Sequence, residues 1–292
     1  MTDPLLYIDR TRAYYLALGY NAPYVWAKNF DIPFTRLPRP LSKAKVALVT
    51  TAALFDPTKG DQGPDAPYNG GAKFYTPYKA PIENPPKTGI SHIAYDRKHT
   101  PATDEQAWLP LKALKQATTD GVIDRVTEHF HGLPTNRSQR TTIEEDAVLL
   151  LKALKQDQAD AAILVPNCPI CHQSVTLAAR CLEENGIPTV VMGCAKDIVE
   201  SAGAPRFVFS DFPLGNGAGK PHDEVSQKQT LALALDLLAK ATSPETVINP
   251  QVWSKDHSWK EDYSNPEKLS TKELADKRAA FDAGKQAAKA VR

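Results

Sequence analysis

The stretch Ala161-Ala-Ile-Leu-Val-Pro-Asn-Cys-Pro-Ile-Cys-His-Gln-Ser174 decides the fold that we expect of this chain. The residues from Ala161 to Val165 are apolar, and a short apolar run of this kind is typical of a strand buried on both faces. Apolar residues at helical spacing follow from Val175 to Leu182, which predicts a helix of about four turns. The stretch is therefore a strand that leads directly into a helix, with two cysteines at the junction.

The cysteines occupy the start of this predicted helix. Pro169 suits the first helical position, because its missing N–H would have no partner there, and this places Cys168 at the N-cap and Cys171 in the first turn. A sulfur at this position faces unpaired backbone N–H groups and the positive end of the helix dipole. Such surroundings lower the pKa of a thiol and favour the nucleophilic thiolate. The alternative is a pair of cysteines that are packed or merely redox-active.

Composition excludes several classes of function. The chain has 292 residues with 35 Lys+Arg and 34 Asp+Glu, and the absence of a basic stripe argues against nucleic acid as the main partner. No apolar run is long enough to span a membrane, and the first residues lack the pattern of a signal peptide. Four cysteines are few for a disulfide scaffold, so we expect a cytoplasmic protein without a membrane.

Strands and helices alternate along most of the chain and predict an α/β fold with mainly parallel, doubly wound sheets, arranged as two lobes with a strand-end pocket between them. The first strand is Lys45–Thr51, and further strands are predicted at 90–95 and 125–131. A helix is predicted at 104–118, and Thr141 with Glu144 resembles a capping box for another.

We divide the chain into four parts. Residues 1–40 form an aromatic N-terminal arm that packs over the main body or over a second subunit, with the lining of a pocket as the alternative. An N-terminal lobe spans 41–133 and contains a long loop at 52–89, which suits a lid or a binding loop. A C-terminal lobe with the cysteine pair spans 134–242. Residues 243–292 form an extension that ends in a helix, and the aromatic arms suggest a homo-oligomer.

Chemically capable residues follow several predicted strands, and ligands of open α/β sheets bind at the carboxyl ends of the strands. We expect catalysis by Cys168, Cys171, His92 and Asp96. Residues expected to contact the substrate are Thr50, Thr51, His172, Cys194 and Asp211. No Gly-x-Gly-x-x-Gly follows a strand, so no dinucleotide cofactor is expected. His129 and His131 share one face of a strand, but with no third ligand identified we predict no metal there.

The Cys168–Cys171 segment with Gly186-Ile-Pro188 resembles the selenoprotein B subunit family of glycine, sarcosine, betaine and D-proline reductases. Blocks at 40–51, 92–96 and 104–123 resemble that family in the same order, so the resemblance runs from about residue 35 to about residue 240. Selenocysteine opens the motif in that family, and Cys168 stands at its position here. The resemblance implies attack by Cys168 on a carbon of a small amino-acid-like substrate, resolution by Cys171, and recycling by a thioredoxin-like thiol donor, with no other cofactor.

Other functions remain open at this stage. Plain cysteines suit desulfuration of a thiocarbonyl compound such as a thiohydantoin-like ring, with release of sulfide. A cofactor-independent racemase would use Cys168 and Cys194 as opposed acid and base. A non-catalytic subunit of a reductase complex would use its aromatic extensions to dock with a partner. A zinc site built from Cys168, Cys171 and a nearby histidine is a further alternative.

Overall fold

The computed structural model describes residues 3–55, 74–92, 94–100 and 102–290, with the side chains of 287–290 left out. Residues 56–73 of the predicted loop at 52–89, including Asn69-Gly-Gly71, lie outside the described residues.

The strands build one large sheet and one small antiparallel pair. Their bounds are β1 Lys45–Thr50, β2 Ala53–Leu54, β3 Tyr78–Pro81, β4 Thr88–Gly89, β5 Arg125–Val126, β6 His129–Gly132, β7 Ala161–Val165, β8 Thr189–Gly193, β9 Arg206–Phe209 and β10 Glu245–Ile248. The large sheet has the order β10-β9-β8-β7-β1-β6-β3, with β5 paired to β1, and the small sheet is β2 with β4. All pairings in the large sheet are parallel except that of β3 with β6.

Helices cover both faces of the large sheet. Their bounds are α1 Tyr7–Ala17, α2 Leu111–Thr119, α3 Gln139–Thr141, α4 Ala147–Gln156, α5 Pro169–Glu184, α6 Lys196–Ala202, α7 Glu224–Lys240, α8 Ser258–Asp262 and α9 Thr271–Ala290. Residues Thr142–Asp146 form a π-helical turn between α3 and α4, and short 3₁₀ turns lie at Leu41–Lys43, Glu105–Ala107 and Pro266–Lys268. None of the described helices is both long and apolar enough to cross a membrane.

The order of the strands fixes where a ligand can bind. From β1 the chain first moves to β5 and β6 on one side, and it then returns to place β7 on the other side of β1. The direction of winding therefore reverses between β1 and β7, and open α/β sheets bind ligands at the carboxyl edge of such a reversal. The segment that follows β7 carries Cys168, so the topology brings this cysteine to the expected edge.

Alternate residues of the central strands enter two hydrophobic cores, as a sheet covered on both faces requires. Val46 and Leu48 of β1 face the core that includes residues of α2 and α7. Ala47 and Val49 face the core that includes residues of α4 and α5. This arrangement confirms the predicted α/β class with a mostly parallel, doubly wound sheet. Strands of both predicted lobes lie side by side in one sheet, because β1 pairs with β7 along its length.

Several predicted elements differ from the structure for local reasons. The helix predicted at 104–118 is a 3₁₀ turn followed by α2, because Pro110 has no N–H to continue a helix. The strand predicted at 90–95 is absent at 90–92. A two-residue strand, β4, lies just before this segment and pairs with β2. The strand predicted at 125–131 is divided into β5 and β6. Thr141 does not cap its helix; Ser138 does, since its side chain accepts a hydrogen bond from the Thr141 N–H.

The two ends of the chain meet over the carboxyl edge of the sheet. The Arg10 guanidinium donates to the carbonyl of Tyr263, and the rings of Tyr7 and Tyr263 pack edge to face. Farther along, the Tyr20 hydroxyl donates to Asp282 of α9 at 2.6 Å. The N-terminal arm thus packs on the main body and on the C-terminal extension of its own chain.

Candidate active site

Cys168 is the N-cap of α5, as the sequence predicts. Its backbone is extended, and its Sγ accepts a hydrogen bond from the Cys171 N–H at 3.3 Å. Pro169 occupies the first turn, where a missing N–H has no consequence. The sulfur therefore takes the place of the side-chain oxygen that usually satisfies the first N–H groups of a helix, and it lies at the positive end of a helix of 16 residues.

Three predicted catalytic residues come together at this helix start. The side-chain donor atoms of His92, Cys168 and Cys171 all lie within 4.8 Å of one another. Thr135, which follows β6, joins two of them: its hydroxyl is 3.0 Å from Nε2 of His92 and 3.3 Å from Sγ of Cys171. The strand-end topology thus assembles two thiols and an imidazole, although these residues come from three separate parts of the chain.

The pKa of the Cys171 thiol is well below its ordinary value. Complete burial by itself raises this pKa, because it disfavours the charged thiolate. Burial is the largest single influence, but the hydrogen bond with Cys168, the charge and hydrogen bond of His92, and the hydrogen bond with Thr135 together outweigh it. The cluster therefore stabilises one negative charge on sulfur, in contact with an imidazole that can hold the proton.

His172 is fully buried and hydrogen-bonds the backbone on which the cluster is built. Its Nδ1–H donates to the Cys168 carbonyl at 2.7 Å, and its Nε2 accepts from the Cys194 N–H at 2.8 Å. Burial lowers its pKa to about 4, so the ring is neutral near pH 7 and both nitrogens are used. His172, predicted to contact the substrate, instead fastens the segment after β7 to the segment after β8.

The predicted threonines also hold this edge together. The Thr51 hydroxyl accepts hydrogen bonds from the backbone and side-chain N–H groups of Asn167, next to Cys168. The Thr50 hydroxyl donates to the carbonyl of Trp108. Both side chains are buried, so the structure places them in the support of the Cys168 segment rather than on a ligand-facing wall.

Three further predicted residues lie apart from the cluster. Asp96 pairs with His99 at 2.9 Å and not with His92; its burial raises the pKa of the carboxyl, and His99 opposes that shift. Asp211 forms an ion pair with Lys260. Cys194 is buried, and burial raises the pKa of its thiol to about 12. A role for these residues in catalysis or substrate contact stays a prediction.

A pocket of about 560 Å³ opens directly onto Cys168. Its floor includes His92, Thr135, Cys168 and Pro169. Its walls come from both chain ends and from the segment after β6: Tyr15, Tyr20, Tyr24, Trp26, Arg137, Phe281 and Lys285 are among them. The volume lies within the usual range for small-molecule sites. Of the two clustered cysteines, Cys168 is the one that lines this pocket, and Cys171 lies behind it.

Sequence reasoning missed several residues of this pocket. Thr135 follows a strand and could have been found by the same strand-end rule that indicated His92. Arg137 and Lys285 carry no motif. The sequence predicts that the aromatic N-terminal arm packs over the body, with the lining of a pocket as the alternative. In the structure Tyr15, Tyr20, Tyr24 and Trp26 line the pocket, as in the alternative interpretation.

The donor set also suits a soft metal ion. Two thiolates and an imidazole are the protein ligands of several catalytic zinc sites, in which a fourth position stays open. Within the described part of the chain, His92, Cys168 and Cys171 are the one such group. His129 and His131 instead share Asp157 as a hydrogen-bond partner. The absence of a resident metal remains a prediction.

Comparison with known proteins supports the resemblance seen in the sequence. The chain is 26% identical over 160 residues to the D-proline reductase subunit gamma of Acetoanaerobium sticklandii, a match that covers 54% of this chain and 66% of that protein. It is 26% identical over 224 residues to the glycine reductase complex component B subunit gamma of Symbiobacterium thermophilum, covering 74% of this chain and 52% of that protein. No family model and no solved structure matches the chain. The chain thus spans between about half and two thirds of the length of these relatives, and both matches support the similarity to the selenoprotein B-like reductase family.

Proposed function

We propose, from this similarity to reductase subunits, that the chain is an enzyme in which the Cys168 thiolate attacks a carbon of a small amino-acid-derived molecule and a C–N or C–S bond at that carbon breaks. One observation carries the proposal. Cys168 is the cysteine that lines the pocket, at a helix N-terminus, with Cys171 and His92 directly behind and beside it. This is the arrangement of a nucleophile, a second thiol and a proton carrier.

In the reductive form of this reaction, Cys168 forms a bond from sulfur to carbon and the C–N bond breaks. The amine leaves with the electron pair of that bond and takes up a proton, for which His92 is the nearest carrier. The Cys171 thiolate then attacks the sulfur of Cys168, so that a disulfide forms, the S–C bond breaks and the carbon takes a proton. Two electrons pass from the thiols to the substrate, and an external dithiol of the thioredoxin class restores the pair.

A desulfurase is the second candidate, and the aromatic walls of the pocket favour it because flat rings stack on aromatic side chains. Here Cys168 attacks a thiocarbonyl carbon and hydrosulfide leaves. Water then attacks the same carbon, a carbonyl forms, and the Cys168 thiol is released. This sequence exchanges sulfur for oxygen without net oxidation, so it needs no reductant.

Two other readings have less support from the geometry. A racemase needs two opposed groups at one carbon, but Cys194 does not line the pocket and its thiol is held protonated by burial. The two matched relatives are named as subunits of reductases, so a protein partner is part of the proposal.

Three single variants test the proposal: Cys168→Ala, Cys171→Ala and, as the control on the same helix, Cys181→Ala. Purified chain is assayed for ammonia and sulfide with amino-acid-derived amines and thiohydantoins, with and without dithiothreitol. We expect Cys168→Ala to abolish product and Cys181→Ala to leave it unchanged. Cys171→Ala should stop reductive cleavage after one turnover, whereas desulfuration should continue. Full activity in Cys168→Ala would overturn the thiol mechanism.

A further inference from the structure

We propose that the pocket above Cys168 binds a small organic anion that has a flat apolar body and no free ammonium group. The inference rests on the proposed function in one respect, since it takes this pocket as the place where the substrate meets Cys168. It adds the chemical class of that substrate, and of the two reactions proposed it favours desulfuration of a thiocarbonyl anion, because free amines carry an ammonium group near pH 7.

The fixed charges on the pocket wall have one sign. Arg12, Arg137 and Lys285 line the pocket, and no Asp or Glu is found among the described lining residues. The three cations come from α1, from the segment after β6 and from α9, so they approach the pocket from different sides. A ligand carboxylate in this pocket is therefore favoured and an ammonium group is repelled.

Among the described residues, two of these cations have no carboxylate of the protein to themselves. Within the described part of the chain, Arg137 has no carboxylate at ion-pair distance; its guanidinium lies over the ring of Tyr24, 5.6 Å from the centroid. Lys285 lies 3.8 Å from Asp282, a carboxylate that also accepts hydrogen bonds from Tyr20 and Arg278. Arg12 differs, since it pairs with Asp9 on the exposed surface of α1.

The aromatic side chains of the pocket are the reason for inferring a ligand with a flat body. Tyr15 contacts Phe281 with ring centroids 5.4 Å apart, and Tyr24 contacts Trp26 at 4.9 Å. Such walls suit a planar group. Aromatic cages also bind cations, but here the rings already face cations of the protein, with Lys285 4.4 Å from the ring centroid of Tyr20 and 4.6 Å from that of Phe281. A second cation from a ligand would meet these positive charges.

Tyr15 connects the cationic wall with the nucleophile. Its hydroxyl interacts electrostatically with both Arg137 and Cys168, and all three residues line the same pocket. Burial raises the pKa of Tyr15 to about 12, and its neutral hydroxyl therefore adds no negative charge that would repel the ligand. A ligand can thus place its anionic group near Arg137 while its body reaches toward the Cys168 sulfur.

Calorimetric titration with three matched probes tests this assignment, in native protein and in Cys168→Ala, where no reaction is expected. The probes are 3-phenylpropionate, its neutral amide, and phenylalanine, which adds an ammonium group. We expect the carboxylate to bind about tenfold or more tightly than either of the other two. Arg137→Met and Lys285→Met should each weaken binding of the carboxylate about fivefold or more and leave the amide unchanged. Arg140→Met is the matched control, because this arginine is exposed and outside the pocket.

The result that overturns the inference is equal binding of acid and amide, tighter binding of phenylalanine, or no binding of any probe in the millimolar range. Its failure is separable from that of the proposed function. Anion binding with full activity in Cys168→Ala would remove the thiol mechanism and keep the anion pocket. Loss of activity in Cys168→Ala without any preference for the anion would keep the thiol mechanism and remove the anion pocket.

Discussion

His172 shows how a single side chain sets the geometry of the site. The ring uses both nitrogens, one on the Cys168 carbonyl and one on the Cys194 N–H, and it is completely buried. A protonated ring would lose the second of these bonds, because Nε2 would then be a donor facing another donor. The position of Cys168 therefore depends on a neutral histidine.

This neutrality predicts a loss of stability in acid. Burial lowers the pKa of His172 to about 4, below the value of about 6.5 in the unfolded chain. The unfolded state therefore binds the proton first, and stability falls as the pH drops from about 6.5 to about 4. We expect this residue to contribute a loss of about 2.5 kcal/mol between pH 7 and pH 4.5.

Urea unfolding near pH 7 and near pH 4.5 measures this loss. The informative quantity is the difference between native protein and His172→Gln, because other groups titrate in both proteins alike. His131, whose pKa burial also lowers to about 4, stays in both as an internal reference. An equal loss of stability in native protein and in His172→Gln would contradict the assignment.

The end of α5 is held as firmly as its beginning. Glu183 lies in the last turn and Arg206 begins β9, and both side chains are fully buried with 2.8 Å between Oε1 and Nη1. The carboxylate also accepts N–H bonds from Thr189 and from Thr35. The pair therefore joins the N-terminal arm, α5 and two strands.

Breaking this pair should strongly destabilise the protein. Glu183→Gln leaves the Arg206 charge buried without a counter-charge, so we expect a loss of about 3–5 kcal/mol in the free energy of unfolding. The adjacent Glu184 is exposed, and Glu184→Gln should change stability by about 0.5 kcal/mol or less. Urea denaturation compares the two variants. A similar small effect of both substitutions would show that the buried pair does not hold these elements together.

The predictable part of the elements follows local rules. The apolar runs correctly predict β1 and β7, and Pro169 correctly predicts that Cys168 is the N-cap of α5. These features depend on neighbouring residues alone, so a local pattern is enough to find them. The partners of His172 and Asp96 were not predictable in this way. The Cys194 N–H reaches His172 because α5 packs against β8, and Asp96 pairs with His99, three residues along the same turn, rather than with His92.

At the scale of the whole molecule, the two chain ends complete the site. The aromatic arm before β1 and helix α9 lie at opposite ends of the sequence and form adjacent walls of one pocket. No pattern in either segment indicates the other, which is why sequence reasoning assigned them to packing against the body or a second subunit. The cysteines follow a strand of the sheet, and the N-terminal arm and α9 line the pocket through which a ligand would reach Cys168.

Phe281 tests this contribution of the C-terminal helix. Its ring packs against Tyr15 and Tyr20, so Phe281→Ala removes part of the pocket wall without touching the cysteine cluster. We expect binding of 3-phenylpropionate to weaken about tenfold, a loss of about 1.4 kcal/mol. Phe30→Ala is the control, because Phe30 is 85% exposed and outside the pocket. Unchanged binding in Phe281→Ala would show that α9 does not contribute to ligand binding in this pocket.

The central claim is that Cys168 is the reactive thiol of this protein. Timed alkylation of the native protein with iodoacetamide near pH 7.5, read at each cysteine by peptide mass spectrometry, tests it most directly. Cys181 is more exposed than Cys168, so accessibility alone would favour Cys181. We expect Cys168 to react about tenfold or more faster than Cys181, and Cys194, with a thiol pKa of about 12, to stay unmodified. Faster reaction at Cys181 or at Cys171 than at Cys168, or reaction at Cys168 only after denaturation, would contradict the account.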